Sequence, residues 1–143
     1  MTVMFTVDGE PQGKARPRFT PKNRKGKPYT PSKTVNYENK VKWSYKKDCG
    51  AQRFEENASL SVKITAYYGI PQSKSNSKKE MMRVNAILPT KKPDCDNVAK
   101  AILDALNKLA YKDDAQVAEL TVLKRYSDNP RVEVIIQNSE KII

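Results

Sequence analysis

Between residues 9 and 33 the chain carries glycines at 9, 13 and 26 and prolines at 11, 17, 21, 28 and 31. Proline lacks a backbone N–H and fixes φ, and glycine loses the most backbone entropy on ordering. No helix or strand of useful length survives that spacing, so the segment reads as a long loop or arm. The packed core must come from the rest of the chain. Lys14, Arg16, Arg18, Lys22, Arg24, Lys25, Lys27 and Lys33 all lie in this arm, and no acidic residue occurs between Glu10 and Glu38. A loop this long inside a compact domain is usually functional or mobile. Its charge agrees with that of the whole chain, where 27 Lys and Arg against 16 Asp and Glu give a net charge of +11. Such an excess on a small domain favours a polyanionic partner, most often nucleic acid. An anionic membrane surface is the rival, but no amphipathic basic helix or lipidation signal supports it.

The remaining residues supply one core. A length of 143 residues fits a single domain. Residues 1–8 alternate apolar and polar and predict a strand. Residues 34–48 predict a helix, with Val35, Val41 and Tyr45 on its apolar face, Trp43 nearby and Gly50 as the stop. Trp43 and Tyr45 read as core rather than as base-stacking residues. Residues 60–70 predict a strand. Ser77 and Glu80 have the spacing of a capping box, which predicts a short helix over 78–86. Residues 97–109 predict the clearest helix, with Val98, Ala101, Ile102, Ala105, Leu106 and Leu109 at steps of three and four. Residues 116–126 and 131–137 predict two strands, joined as an antiparallel hairpin through a turn at 127–130. The expected fold is therefore a single mixed-sheet α/β (α+β) domain over residues 1–143, in the order strand, arm, helix, strand, short helix, helix, strand, strand.

Several chemistries are excluded by what the composition lacks. The chain has no histidine, which removes Ser-His and Cys-His nucleophilic sites and most zinc sites. Cys49 and Cys95 have no metal-type spacing and read as free thiols. No run of 18 apolar residues and no signal peptide is visible, so a cytosolic protein is expected. Any general acid or base must be a carboxylate, Lys, Tyr or a metal-bound water.

Asp94-Cys95-Asp96 is the centre of the chemical argument. In an extended segment residues i and i+2 point to one side, so both carboxylates would face one point and Cys95 the core. The following helix would present its positive dipole end to them. Lys100, four residues after Asp96, would project from the same helix face. Asp113 and Asp114 follow in the turn beyond the helix. A helix of about thirteen residues is roughly 20 Å long, so spacing alone does not bring Asp114 to Asp94. Hard oxygen ligands suit Mg²⁺ and metal-assisted phosphodiester hydrolysis. Taken singly, Asp96 would serve equally well as a helix cap, Asp113-Asp114 as a solvated turn, and Lys100 as a surface lysine.

The string D-x-D-N-x-x-K-x-x-x-D-A-L from Asp94 to Leu106, with D-D-x-Q from Asp113 to Gln116, resembles the RusA family of Holliday junction resolvases. The likeness runs from about residue 90 to 134. The Gly13-Lys14-Ala15-Arg16-Pro17-Arg18 arm and Tyr29-Thr30-Pro31 resemble phage or prophage members more loosely. The resemblance implies an endonuclease that resolves four-way DNA junctions by paired nicks, in recombination and repair. It implies dependence on Mg²⁺, with Mn²⁺ as a substitute, and no other small-molecule cofactor. An intertwined homodimer, bacterial or phage-encoded and cytoplasmic, is the expected assembly. Asp94, Asp96 and Asp114 match the family's metal-binding carboxylates, Lys100 its catalytic lysine, and Asp113 a supporting neighbour. Cys95 replaces a usual apolar residue. Pro93 stands where some members carry arginine, so any role of that basic side chain passes to Lys91, Lys92 or the arm, or is absent. Lys14, Arg16, Arg18, Lys91 and Lys92 are the expected DNA-binding residues. A non-catalytic DNA-binding module, a flap nuclease and a sugar-nucleotide transferase using D-x-D are the alternatives.

Overall fold

The computed structural model describes residues 1–14 and 32–139. Most of the arm, with Arg16 and Arg18, lies outside the described residues. The order is β1 (Thr2–Asp8), α1 (Ser32–Cys49), β2 (Leu60–Gly69), α2 (Asn76–Arg83), α3 (Cys95–Leu106), a 3-10 turn (Asp114–Gln116), β3 (Val117–Ser127) and β4 (Arg131–Asn138). This is the expected single mixed-sheet α+β domain.

The four strands form one sheet in the order β1-β4-β2-β3. β4 lies antiparallel to both β1 and β2, and β3 lies parallel to β2. The expected β3–β4 hairpin is therefore absent. Residues 128–130 instead cross the end of β2, a step of two strand spacings or about 10 Å. Gly69 marks the crossing, because a Cβ there would meet Glu10 Oε1 at 2.3 Å and Pro130 Cγ at 3.2 Å. The parallel β2–β3 pair requires a crossover connection, and that crossover carries α2, α3 and the 3-10 turn.

Alternation places Val3, Phe5 and Val7 of β1, Val62, Ile64 and Tyr68 of β2, and Val132, Val134 and Ile136 of β4 on one buried face. Helix α1 covers this face over β1 and packs against α3, while α2 and α3 touch β3. Each fully buried aliphatic or aromatic side chain contributes about 1.5–3 kcal/mol of transfer free energy. Helix α1 buries Tyr37, Val41, Tyr45 and Cys49. Val35 and Trp43 are not core as expected: they are 41% and 62% exposed, and Lys47 Nζ stands 5.2 Å from the Trp43 ring. A 3.6-residue period puts Tyr37, Val41 and Tyr45 on one stripe, with Trp43 off it. Gly50, at φ 65, ends α1 by returning its N–H to Lys46 O, the left-handed stop that glycine favours.

All three helices start two residues earlier than the sequence suggests, α1 at Ser32 rather than at residue 34. Helix α2 is capped by Ser75, which accepts from Lys78 N, rather than by Ser77. Helix α3 starts at Cys95 rather than at Asn97 and ends at Leu106, where Asn107 leaves the helical region. Tyr111 then folds back, buried, and donates its hydroxyl to Leu103 O at 2.7 Å. No helix among the described residues is long and apolar enough to cross a membrane.

Candidate active site

Helix α3 positions the candidate residues. Val98, Ala101, Ile102, Ala105 and Leu106 face the core, which turns Asp96, Lys100 and Asp104 outward at four-residue steps along one row. Asp96 and Lys100 are exposed and Asp104 is half-buried. Asp94 is the N-cap, with φ −78 and ψ 170, and its Oδ1 accepts from Asn97 N at 3.0 Å. The cap is thus Asp94, not Asp96. Asp94 and Asp96 do not form the expected pair on an extended segment, because Asp96 already lies in the first helical turn. Both carboxylates still sit at the N-terminal, positive end of the α3 dipole. Cys95 between them is half-buried and free, and Cys49 is buried and free.

Asp114 lies at the other end of α3. Its N–H donates to Asn107 Oδ1 at 2.9 Å. Its carboxyl is raised above the ordinary aspartate value, first by partial burial, then by contact with Asp113 and by the charge of Asp104. Asp113 caps the 3-10 turn, accepting from Ala115 N, while Gln116 reaches back to the Asp113 N–H. The hydrogen bond donated by Ala115 N–H to its carboxylate is the first cause holding Asp113 below the ordinary range. Asp104, beside Asp114, is ten residues along α3 from Asp94, or about 15 Å of helical rise. Asp94 and Asp96 are together, and Asp114 is with Asp104 and Asp113. Among the described residues no group of three acidic or thiol side chains has metal-holding geometry. One chain therefore does not close Asp94, Asp96 and Asp114 around a single ion, although their oxygen donors suit a hard cation.

The arm meets α3 at its first turn. Pro11, Gly13, Lys33, Thr34, Lys92 and Asp94 help line a cleft of about 440 Å³. Both described ends of the arm thus flank Asp94. Gly13 makes the approach possible, because a Cβ there would lie 2.9 Å from Asn97 Cβ and 3.1 Å from Pro93 Cβ. Lys14 N donates to Asn97 O at 3.3 Å. The Lys14 ammonium is bound to Asp104 Oδ2 at 2.7 Å and paired with Glu38 Oε1 at 3.2 Å. The hydrogen bond to Asp104 is the main cause raising Lys14 above the ordinary lysine value. The side chain expected to meet DNA is thus engaged within the fold, tying the arm to α3 and α1. Lys91 and Lys92 are exposed.

Four contributors had no role assigned from the sequence, although Asp104 is part of the motif. Asp104 and Glu38 hold Lys14, while Tyr68 and Lys124 reach the segment before Asp94. Tyr68 donates to Pro93 O and Lys124 to Lys91 O. Only the recurrence of Asp104 four residues after Lys100 hinted at the first of these.

The model of the RusA endodeoxyribonucleases matches residues 8–137, from the last residue of β1 through the arm and the crossover to all but the last residue of β4. The chain belongs to the RusA family of endodeoxyribonucleases. An uncharacterized protein of Bacillus subtilis (strain 168), YqaN, is 41% identical over 137 residues, covering 94% of this chain and 95% of that protein. A protein of Lactococcus phage r1t named as a crossover junction endodeoxyribonuclease, rusA, is 33% identical over 84 residues, covering 58% of this chain and 57% of its own. The RusA match spans both ends of α3 and the arm, so the polar row and the cleft lie wholly within the family's domain.

Proposed function

We propose that the chain is a crossover junction endodeoxyribonuclease that resolves four-way DNA junctions by paired nicks in recombination and repair, cutting at the N-terminal end of α3. The observation that carries this reading is the cleft at Asp94. A carboxylate-bearing helix end opens there between the two ends of a strongly basic arm, in a chain similar to a phage protein of that name.

In this proposal the arm and Lys91 and Lys92 contact phosphates and supply most of the affinity, which is insensitive to base sequence. Asp94 and Asp96 face the scissile phosphate and Lys100, one turn along the same row, steadies it. Mg²⁺, with Mn²⁺ as a substitute, is the proposed cofactor; when bound it would lower the pKa of a water and neutralise phosphate charge. Its proposed ligands are Asp94, Asp96 and Asp114. As one chain leaves Asp114 apart, we assign the proposed homodimer a part in completing the set. A two-fold pair of subunits also matches the approximate two-fold symmetry of an open junction.

The reading is tested by offering the protein four-way, flap and linear duplex DNA side by side, with Mg²⁺ and with chelator. Paired nicks confined to the four-way junction and dependent on the ion are expected. Equal cutting of all three substrates would replace junction resolution with a general nuclease activity, and cutting of flaps alone would make it a flap nuclease. Full activity in chelator would remove the metal.

A further inference from the structure

We propose that Tyr68 and Lys124 are positioning residues that hold residues 91–93, and through them Asp94, in place at the entrance to α3. The inference rests on α3's N-terminal end being the cutting site.

The two side chains come from adjacent parallel strands, with Ala66 opposite Lys124 and Tyr68 opposite Tyr126. They therefore rise from the same face of the sheet, two residues apart in register. The Tyr68 hydroxyl donates to Pro93 O at 2.5 Å, and Lys124 Nζ donates to Lys91 O at 2.6 Å. Two of the three carbonyls that precede Asp94 are thus fixed by side chains anchored in the sheet. Tyr68 is 1% exposed, so its ring is immobilised by the core, and a buried tyrosine hydroxyl needs a partner. Lys124 Nζ lies 5.0 Å from the centroid of that ring. Lys91 folds back over it, with Nζ 6.0 Å from the Tyr68 centroid and 5.9 Å from that of Tyr126. Each cation–π contact adds to the closure of the same block.

Asp94 has two tasks that depend on its placement. It caps α3 through Asn97 N, and its carbonyl accepts from Val98 N. It also presents its carboxylate to the cleft. An error of about 1 Å in a reacting group costs on the order of a hundredfold in rate, so the carbonyl clamps upstream of Asp94 bear on the chemistry without touching DNA. Lys124 directs its charge at a backbone oxygen, and so reads as a brace rather than a phosphate ligand.

The test uses full-length Lys124→Met, Lys124→Arg and Tyr68→Phe. Single-turnover nicking of a synthetic four-way junction is measured beside junction affinity in chelator at several salt concentrations. Amide hydrogen exchange is followed at Asn97 and Val98, with α1 as the internal standard. For Lys124→Met and Tyr68→Phe the proposal expects nicking to fall by about tenfold, as for loss of a strong hydrogen bond. Affinity and its salt dependence stay as in the parent, and exchange at Asn97 and Val98 quickens while α1 is unchanged. Lys124→Arg restores most of the rate, since its guanidinium also donates to a carbonyl. An affinity loss that matches the rate loss, with the salt slope lowered by about one, would make Lys124 a phosphate contact and overturn the proposal. Unchanged exchange at Asn97 and Val98 would overturn it as well. A parent protein that nicks no junction would remove the cutting site instead, and the exchange readout would still decide the positioning.

Discussion

Asp114 shows how a single side chain trades stability for placement. Partial burial, then Asp113 and Asp104, hold its carboxyl above the ordinary value of 3.8. The fold therefore disfavours the ionised form. Below the ordinary value both folded and unfolded states are protonated and there is no penalty; above the folded value the penalty is complete. In chelator, Asp114→Asn should melt at a higher temperature than the parent at neutral pH, and the two melting temperatures should converge in acid, as read by calorimetry. A variant that melts lower at neutral pH would contradict the unfavourable placement. Such stabilisation on removing a charge is common where a residue serves function over stability. Nothing in the local sequence forecast the contact, because Asp104 meets Asp114 only after Tyr111 has folded the chain back against α3.

The elements were legible where a local pattern encodes them. Strand alternation located β1, β2, β3 and β4 to within a residue or two, and the apolar steps from Val98 to Leu106 located α3. Pairing was not legible. A short polar link between two strands ordinarily closes a hairpin, and here the same link passes over β2 at Gly69, so that β3 pairs in parallel through a long crossover. That choice is made by contacts far apart in sequence, which periodicity does not record. The start of α3 was misplaced for a related reason, since Asp94 and Asp96 are both acceptable caps and only the backbone decides between them. The junction of arm and helix offers a test at this scale. A methyl group at position 13 has Asn97 and Pro93 in its way. Gly13→Ala should cost about 1–3 kcal/mol of stability through overpacking, measured as a shift in denaturation midpoint. No shift would mean that the arm does not seat against α3 as described.

Across the described residues, α1 and α3 pack together against the sheet, α2 joins them at β3, and the crossover displays the polar row of α3. The four-residue spacing of Asp96 and Lys100 made their shared helix face readable in advance, while the place of Asp104 in the row was not read. The row's long-range supports, Glu38, Tyr68 and Lys124, were not readable, because each acts from a different element. The basic arm begins and ends at the cleft that holds Asp94, which joins the most positive stretch of sequence to the N-terminal end of α3. The central claim, that DNA is cut at this helix end, is tested most directly by Asp94→Asn. Asparagine caps a helix as well as aspartate does, so the substitution removes the charge and keeps the fold. Nicking of a four-way junction should fall by at least about a hundredfold, the scale of losing a group that acts on the transition state, while junction affinity remains at the parent level. Nicking at the parent rate by a folded Asp94→Asn protein would contradict the account.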